Sequence, residues 1–197
     1  MPRGRTFDKA SAVDAAIDLF WSRGFAGVSM QDIAEATGVG NGSLYLAFGS
    51  KRALFLAAFR AYCERRVAFV RSAVASPAAS PDDVLARYFA AVVDDCAGDP
   101  QRRGCLLINS IAELGHESPI AEIADDTLAR MVSAVAEALE AASPSDGGRS
   151  DTVRAAEQAV TVSQSLILVS RLGRSRDELE RSAQDSAAMI AQAVRAA

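Results

Sequence analysis

Along nearly its whole length the chain places apolar side chains three or four residues apart, in runs closed by glycine or proline. That spacing keeps one stripe of a helix apolar and gives strands nothing to alternate on. Val13, Ala16, Ile17 and Phe20 form such a stripe before Gly24; Leu54, Phe55, Ala58 and Tyr62 form another. Val84, Leu85, Tyr88, Phe89 and Val92 make a third, behind Pro81 and the acidic pair Asp82 and Asp83, which suit a helix start. Half of the chain is hydrophobic but only 6% is aromatic, and alanine predominates, which favours packed helices over sheet. The expected fold is therefore all-α, with about nine helices and no strand or internal repeat. At 197 residues it can bury a sizeable core.

Local start and stop signals refine the pattern. Ser29 with Asp32 reads as a capping box opening a short helix that Gly38 breaks, and a second short helix follows around Leu44 and Tyr45. A long helix runs from about Lys51, and the stretch SPAASP (76–81) is a turn and a candidate boundary. The run CLLINSIAEL is a helix closed by Gly115, and Ser175 with Glu178 caps the last helix.

Charge is unevenly placed. Residues 1–71 carry ten Lys/Arg against six Asp/Glu, and residues 72–197 carry eleven against nineteen, which together give the net charge of -4. A basic N-terminal part on an acidic remainder fits an N-terminal contact with a polyanion. The three cysteines, Cys63, Cys96 and Cys105, have neither CxxC nor Cys/His ligand spacing, so reduced thiols are expected and a metal or disulfide framework is not. No apolar run approaches the length needed to span a bilayer and the N-terminus does not read as a signal peptide, so a cytoplasmic protein without a membrane partner is expected.

The alternating glycines Gly38, Gly40 and Gly42 invite a phosphate-loop reading. Such a loop needs a preceding strand and a GK[ST] or GxGxxG pattern, and neither is present. Their context is helix, turn and helix. Gly38 tolerates the positive φ of the turn, and Ile33, Ala34, Val39 and Leu44 can pack the two helices together. Asn41, Gly42, Ser43 and Tyr45 then lie where a helix entering a DNA groove exposes its groups.

In these residues, and across FWSRGFAGVSMQDIAEATGVGNGSLYLAFGSKRALF (20–55), the chain resembles the TetR family of transcriptional regulators. The resemblance implies a helix-turn-helix DNA-binding domain over residues 1–50 and a helical ligand-binding and dimerisation domain over 51–197, joined by the long helix. It implies a homodimer that holds a palindromic operator in double-stranded DNA, acts as a repressor, and releases the operator when a small-molecule or reactive-electrophile inducer binds. No cofactor and no enzymatic activity are implied. Carried over position by position, Ser29, Tyr45 and Lys51 resemble phosphate-contacting residues, Gln31 a solvent-facing residue that can reach a base, and Asn41, Gly42 and Ser43 the entry of the recognition helix. Arg3 and Arg5 can follow the backbone or enter a minor groove. The chain departs from many relatives of the family it resembles at Asn41, Leu46 and Ala47, which puts weight on Arg3, Arg5 and Asn41, the last as an amide able to read adenine.

For the C-terminal part, Tyr88, Phe89, Leu106, Ile111, Leu128 and Met131 are candidate pocket-lining residues as well as candidate core. Cys105 follows two arginines near a predicted helix start, where positive charge favours thiolate, so it is either a sensing thiol or a small core residue. His116, the only histidine, lies between helices and is a ligand or capping candidate. A thiol-dependent enzyme using Cys105 with His116 is the alternative reading, weakened by the lack of a third orienting residue. Val162, Leu166, Val169, Ile190 and Val194 on the last two helices are candidate dimer contacts.

Overall fold

The computed structural model describes residues 8–143 and 149–195, and among them nine α-helices and no strand. They are α1 (Lys9–Arg23), α2 (Met30–Thr37), α3 (Asn41–Phe48), α4 (Lys51–Val74), α5 (Pro81–Ala97), α6 (Leu106–Leu114), α7 (Ser118–Ala142), α8 (Arg149–Ser170) and α9 (Arg176–Arg195). The expected all-α class is what the structure shows. The local signals act as the chemistry requires. Gly24 ends α1 at φ 72°, its N–H donating to Phe20 O at 2.9 Å, and Pro81 opens α5 behind a Ser80 cap. At α9, Ser175 N–H donates to Glu178 Oε2 at 2.8 Å while Glu178 N–H donates to Ser175 Oγ at 3.3 Å, which completes the capping box.

The chain forms two compact units. The first holds residues up to Cys63 together with Leu106–Ile123; the second holds Glu64–Cys105 and the chain from Ala124 onward. The 76–81 turn lies inside the second unit. Ion pairs anchor that early segment there: Arg66 meets Asp95 at 2.7 Å, and Arg130 grips both Glu64 oxygens at 2.6 and 2.7 Å.

The first unit is built around aromatic rings. Phe55 meets Phe20 edge-on with centroids 5.0 Å apart, Phe25 lies 5.0 Å from Phe55, and Phe59 stacks on Phe55 at 5.8 Å. Ile33 and Leu44 are fully buried, and these two side chains fasten α2 and α3 to the rest. Where the sequence pattern picks Val13, the structure buries Ala12 instead and leaves Val13 half-buried. In the second unit α5, α8 and α9 pack on one another. Ala155, Ala156 and Ala159 are buried on α8, and these small residues allow close helix approach. Tyr88 donates its hydroxyl to Ser163 Oγ at 2.8 Å inside this core, and burial pushes the phenol up to about 12.

Candidate nucleic-acid interface

The helix-turn-helix begins with a reciprocal cap. Ser29 Oγ accepts the Asp32 N–H at 3.1 Å and donates to the Asp32 carboxylate, while Ser29 N–H donates to Asp32 Oδ2 at 2.7 Å. These bonds from Ser29, with Arg23 at 3.2 Å, hold the Asp32 carboxyl below its ordinary range. Ser29, expected as a phosphate contact, thus has its hydroxyl committed to holding α2. Gly38 takes the left-handed conformation at φ 67°, ψ 17°, which turns the chain sharply from α2 into α3.

No side chain caps α3, since its N-cap is Gly40. Its first backbone N–H groups therefore lack intrahelical partners, as at any helix start. Leu44 points into the core, and the outward face carries Gly42, Ser43, Tyr45 and Leu46. Tyr45 is 49% exposed and Leu46 90%. A Cβ built on Gly42 would meet nothing within 4 Å, so its glycine is not required by packing. Nothing on α3 carries a charge. Gly49 ends the helix at φ 80° and α4 starts two residues later.

The remaining expected contacts fall in different places. Gln31 is exposed on α2 and donates to Glu35 at 3.0 Å. Asn41 is only partly exposed, and its Oδ1 is shielded from solvent with no hydrogen-bond partner. The two-atom adenine contact expected of it needs that oxygen presented, and here it is turned inward. Lys51 is half-buried: its Nζ donates to Phe25 O and Val28 O, both at 2.9 Å, and lies 4.3 Å above the Phe25 ring. It staples the α1–α2 loop from within instead of projecting freely toward a phosphate. Arg3 and Arg5 lie outside the described residues.

The same loop is held from a second side by a residue that the sequence pattern did not mark. Glu113 of α6 accepts the N–H groups of Phe25 and Ala26, each at 2.9 Å. An exposed acid on an amphipathic helix carries no local signal of a partner 88 residues away.

Of the candidate ligand residues, Leu106, Ile111 and His116 belong to the first unit, and Tyr88, Phe89, Leu128 and Met131 to the second. Tyr88, Phe89, Leu106 and Met131 are buried core, Ile111 and Leu128 half-buried, and His116 exposed. A cavity of about 560 Å³ in the second unit lies along α5 and α9, and of the expected residues only Phe89 lines it. Its other walls are small, including Ala86, Ala90, Val93, Ala183 and Ala187, with Asp82, Asp94 and Glu180 among them. Cys105 is 3% exposed, and Cys63 and Cys96 are buried too, all as free thiols. A thiol so enclosed lends no support to the thiol-enzyme alternative. Among the described residues no group of three or more His, Cys, Asp or Glu is placed to hold a metal, and no helix is long and apolar enough to cross a membrane.

The expected dimer residues divide likewise. Leu166, Ile190 and Val194 are buried within the second unit, and Val162 and Val169 are half-buried. The large apolar side chains that α8, its C-terminal turn and α9 expose are instead Leu168, Leu172 and Met189. Apolar richness on these helices was legible, but one helix offers several apolar faces and only packing selects the inward one.

Residues 12–58 match the model of the bacterial regulatory proteins of the tetR family, a span that contains α2, α3 and the turn between them. The chain is 34% identical over 116 residues to the HTH-type transcriptional repressor ComR of Escherichia coli, a match covering 59% of this chain and 55% of ComR. It thus spans little more than half the length of that relative. Among solved structures, a TetR transcriptional regulator from Chloroflexus aurantiacus superposes with a TM-score of 0.78 at 22% identity, covering 93% of this chain and 94% of that one. A cysteine mutant of the TetR family regulator CifR, complexed with 26 bp double-strand operator DNA, superposes with a TM-score of 0.71 at 25% identity over 98% of both chains. With the helix-turn-helix and these likenesses in agreement, residues 12–58 form an N-terminal domain of the tetR regulatory type, and the nine helices of the described residues share the fold of the solved TetR regulators.

Proposed function

We propose that this protein is a homodimeric repressor that inserts α3 into the major groove of each half of a palindromic operator and leaves it when an inducer binds. The observation that carries the reading is the outward face of α3. Gly38 sets the helix angle, Leu44 anchors it, and Ser43 and Tyr45 stand clear of the fold beside an uncapped helix start. Such a face offers backbone N–H groups and hydroxyls to phosphates and a glycine-thinned surface to base edges. ComR is named a repressor and CifR holds operator DNA in its solved complex, which supports the same role here. Arg3, Arg5, Gln31, Gly42, Ser43 and Tyr45 are the proposed DNA contacts. Ser29 and Lys51 act by fixing α2 and the loop before it.

Subunits pair through α8 and α9, with Leu168, Leu172 and Met189 in the leading place and Val162 and Val169 beside them. Leu168 lies on the last turn of α8 and Leu172 in the turn that follows it, and both are exposed. Two heads related by a two-fold axis then require half-sites about one DNA turn or more apart. A small-molecule inducer is sought first in the α5–α9 cavity, whose volume falls within the range of small-molecule sites.

Selection of bound sequences from a random DNA pool tests the reading. A palindromic motif is expected, with affinity that falls steeply as salt rises because phosphate contacts release counterions. Tyr45→Phe is expected to weaken binding while leaving helicity unchanged. Absence of any enriched sequence would sink the proposal.

A further inference from the structure

Among the described residues, the most exposed large apolar side chain stands in the middle of the face that α3 turns outward. Leu46 is 90% exposed, so folding gains almost nothing from it. At 100° per residue, Gly42 and Leu46 fall within about 40° of each other, with Ser43 and Tyr45 on either side. Gly42 has no side chain, which leaves Leu46 as the one group projecting from the centre of that face. Neither Leu46 nor any other α3 residue carries a charge, so this centre has no cation to pair with a phosphate.

We propose that Leu46 determines sequence specificity by packing on the C5-methyl group of a thymine in the operator major groove; the inference rests on the DNA-binding reading of α3. In the major groove, the apolar feature that distinguishes one base pair from another is the thymine methyl. A leucine at the centre of a groove-facing helix has no hydrogen bond to offer and matches that feature alone. Asn41 strengthens the assignment from the other side. An A·T pair is commonly recognised through adenine N6 and N7 by an amide that presents both its atoms. The Asn41 oxygen is enclosed in the fold, so Asn41 does not itself present both amide atoms to an adenine edge. The methyl on the partner base is the signature of the pair that an apolar side chain can match. Tyr45, at the flank of the face, keeps its hydroxyl for the backbone.

The test uses the full chain and the operator obtained by selection. Each thymine of the half-site is replaced in turn by deoxyuridine, which removes the methyl and keeps every hydrogen-bonding group. At one thymine per half-site the replacement is expected to weaken binding by the intact protein about fourfold, and on the order of tenfold when both half-sites are changed, the worth of one buried methyl group per contact. Leu46→Ala, which touches no core contact, is expected to bind thymine and deoxyuridine operators equally and to keep the salt dependence of the parent. A deoxyuridine effect that persists in Leu46→Ala overturns the inference, as does a half-site in which no thymine is sensitive. Loss of the dimer in Leu46→Ala would place the side chain in a protein contact and also overturn it. Failure of the selection itself would instead overturn the regulator reading.

Discussion

Replacing Glu113 with alanine removes the two acceptors that hold the loop between α1 and α2. The carboxylate receives the Phe25 and Ala26 N–H groups at 2.9 Å each, while Lys51 holds Phe25 O and Val28 O at 2.9 Å from the other side. The loop is therefore clamped through its donors by α6 and through its acceptors by α4. Gly24 leaves room for the grip, because a Cβ there would come within 2.9 Å of Glu113 Oε2. Hydrogen bonds to a charged group contribute about 1.5–3 kcal/mol when enclosed, but Glu113 is exposed, and about 1 kcal/mol each is the fitting scale. Both together hold the loop by roughly 2 kcal/mol, which corresponds to about a 30-fold change in the local opening equilibrium. Amide hydrogen exchange at Phe25 and Ala26 in Glu113→Ala is expected to accelerate by that factor, with the buried α2 amides changed much less. Glu113→Gln keeps one acceptor oxygen and is expected to fall between the two. Unchanged exchange at Phe25 and Ala26 in the alanine variant would refute the clamp, because the bonds would then hold nothing.

The other predictions concern separate elements. Glu178 is held down to about 2 from its ordinary 4.5, first by the Ser175 N–H, then by Arg174 and the Ser175 hydroxyl. Because the folded value is the lower one, its support of α9 is complete above pH 4.5 and is lost as pH falls through about 2; a carboxyl NMR titration with a midpoint near 4.5 would contradict the cap. Leu172→Glu is expected to shift sedimentation toward the monomer without loss of helicity, since Leu172 is 80% exposed and breaks no core; an unchanged dimer would remove the turn after α8 from the interface. All three cysteines are buried, so native alkylation is expected to be slow and to speed up on unfolding. Rapid labelling of Cys105 in the native protein, with operator release lost in Cys105→Ser, would restore the sensing thiol.

What the sequence alone determined is everything set by near neighbours. The caps at Ser29 and Ser175, the left-handed turn at Gly38, the proline start of α5 and the nine helices all arise from residues within about one turn of each other. The helix-turn-helix is such a local object, and its outward residues Ser43 and Tyr45 were legible with it. Only tertiary structure decided direction and partnership. Lys51 looked like a free cation, yet two carbonyls at positions 25 and 28 draw it inward. Asn41 looked like a reader of bases, yet its oxygen is enclosed. Leu166 and Leu168 sit two residues apart on α8 with the same chemistry, and packing buries the first and leaves the second outside. Glu113 had no visible role until folding brought its carboxylate to a loop far back in the chain. The physical reason is the same in each case. A helix periodicity says which residues share a face, but the faces compete for burial, and the winner is set by contacts between segments distant in sequence.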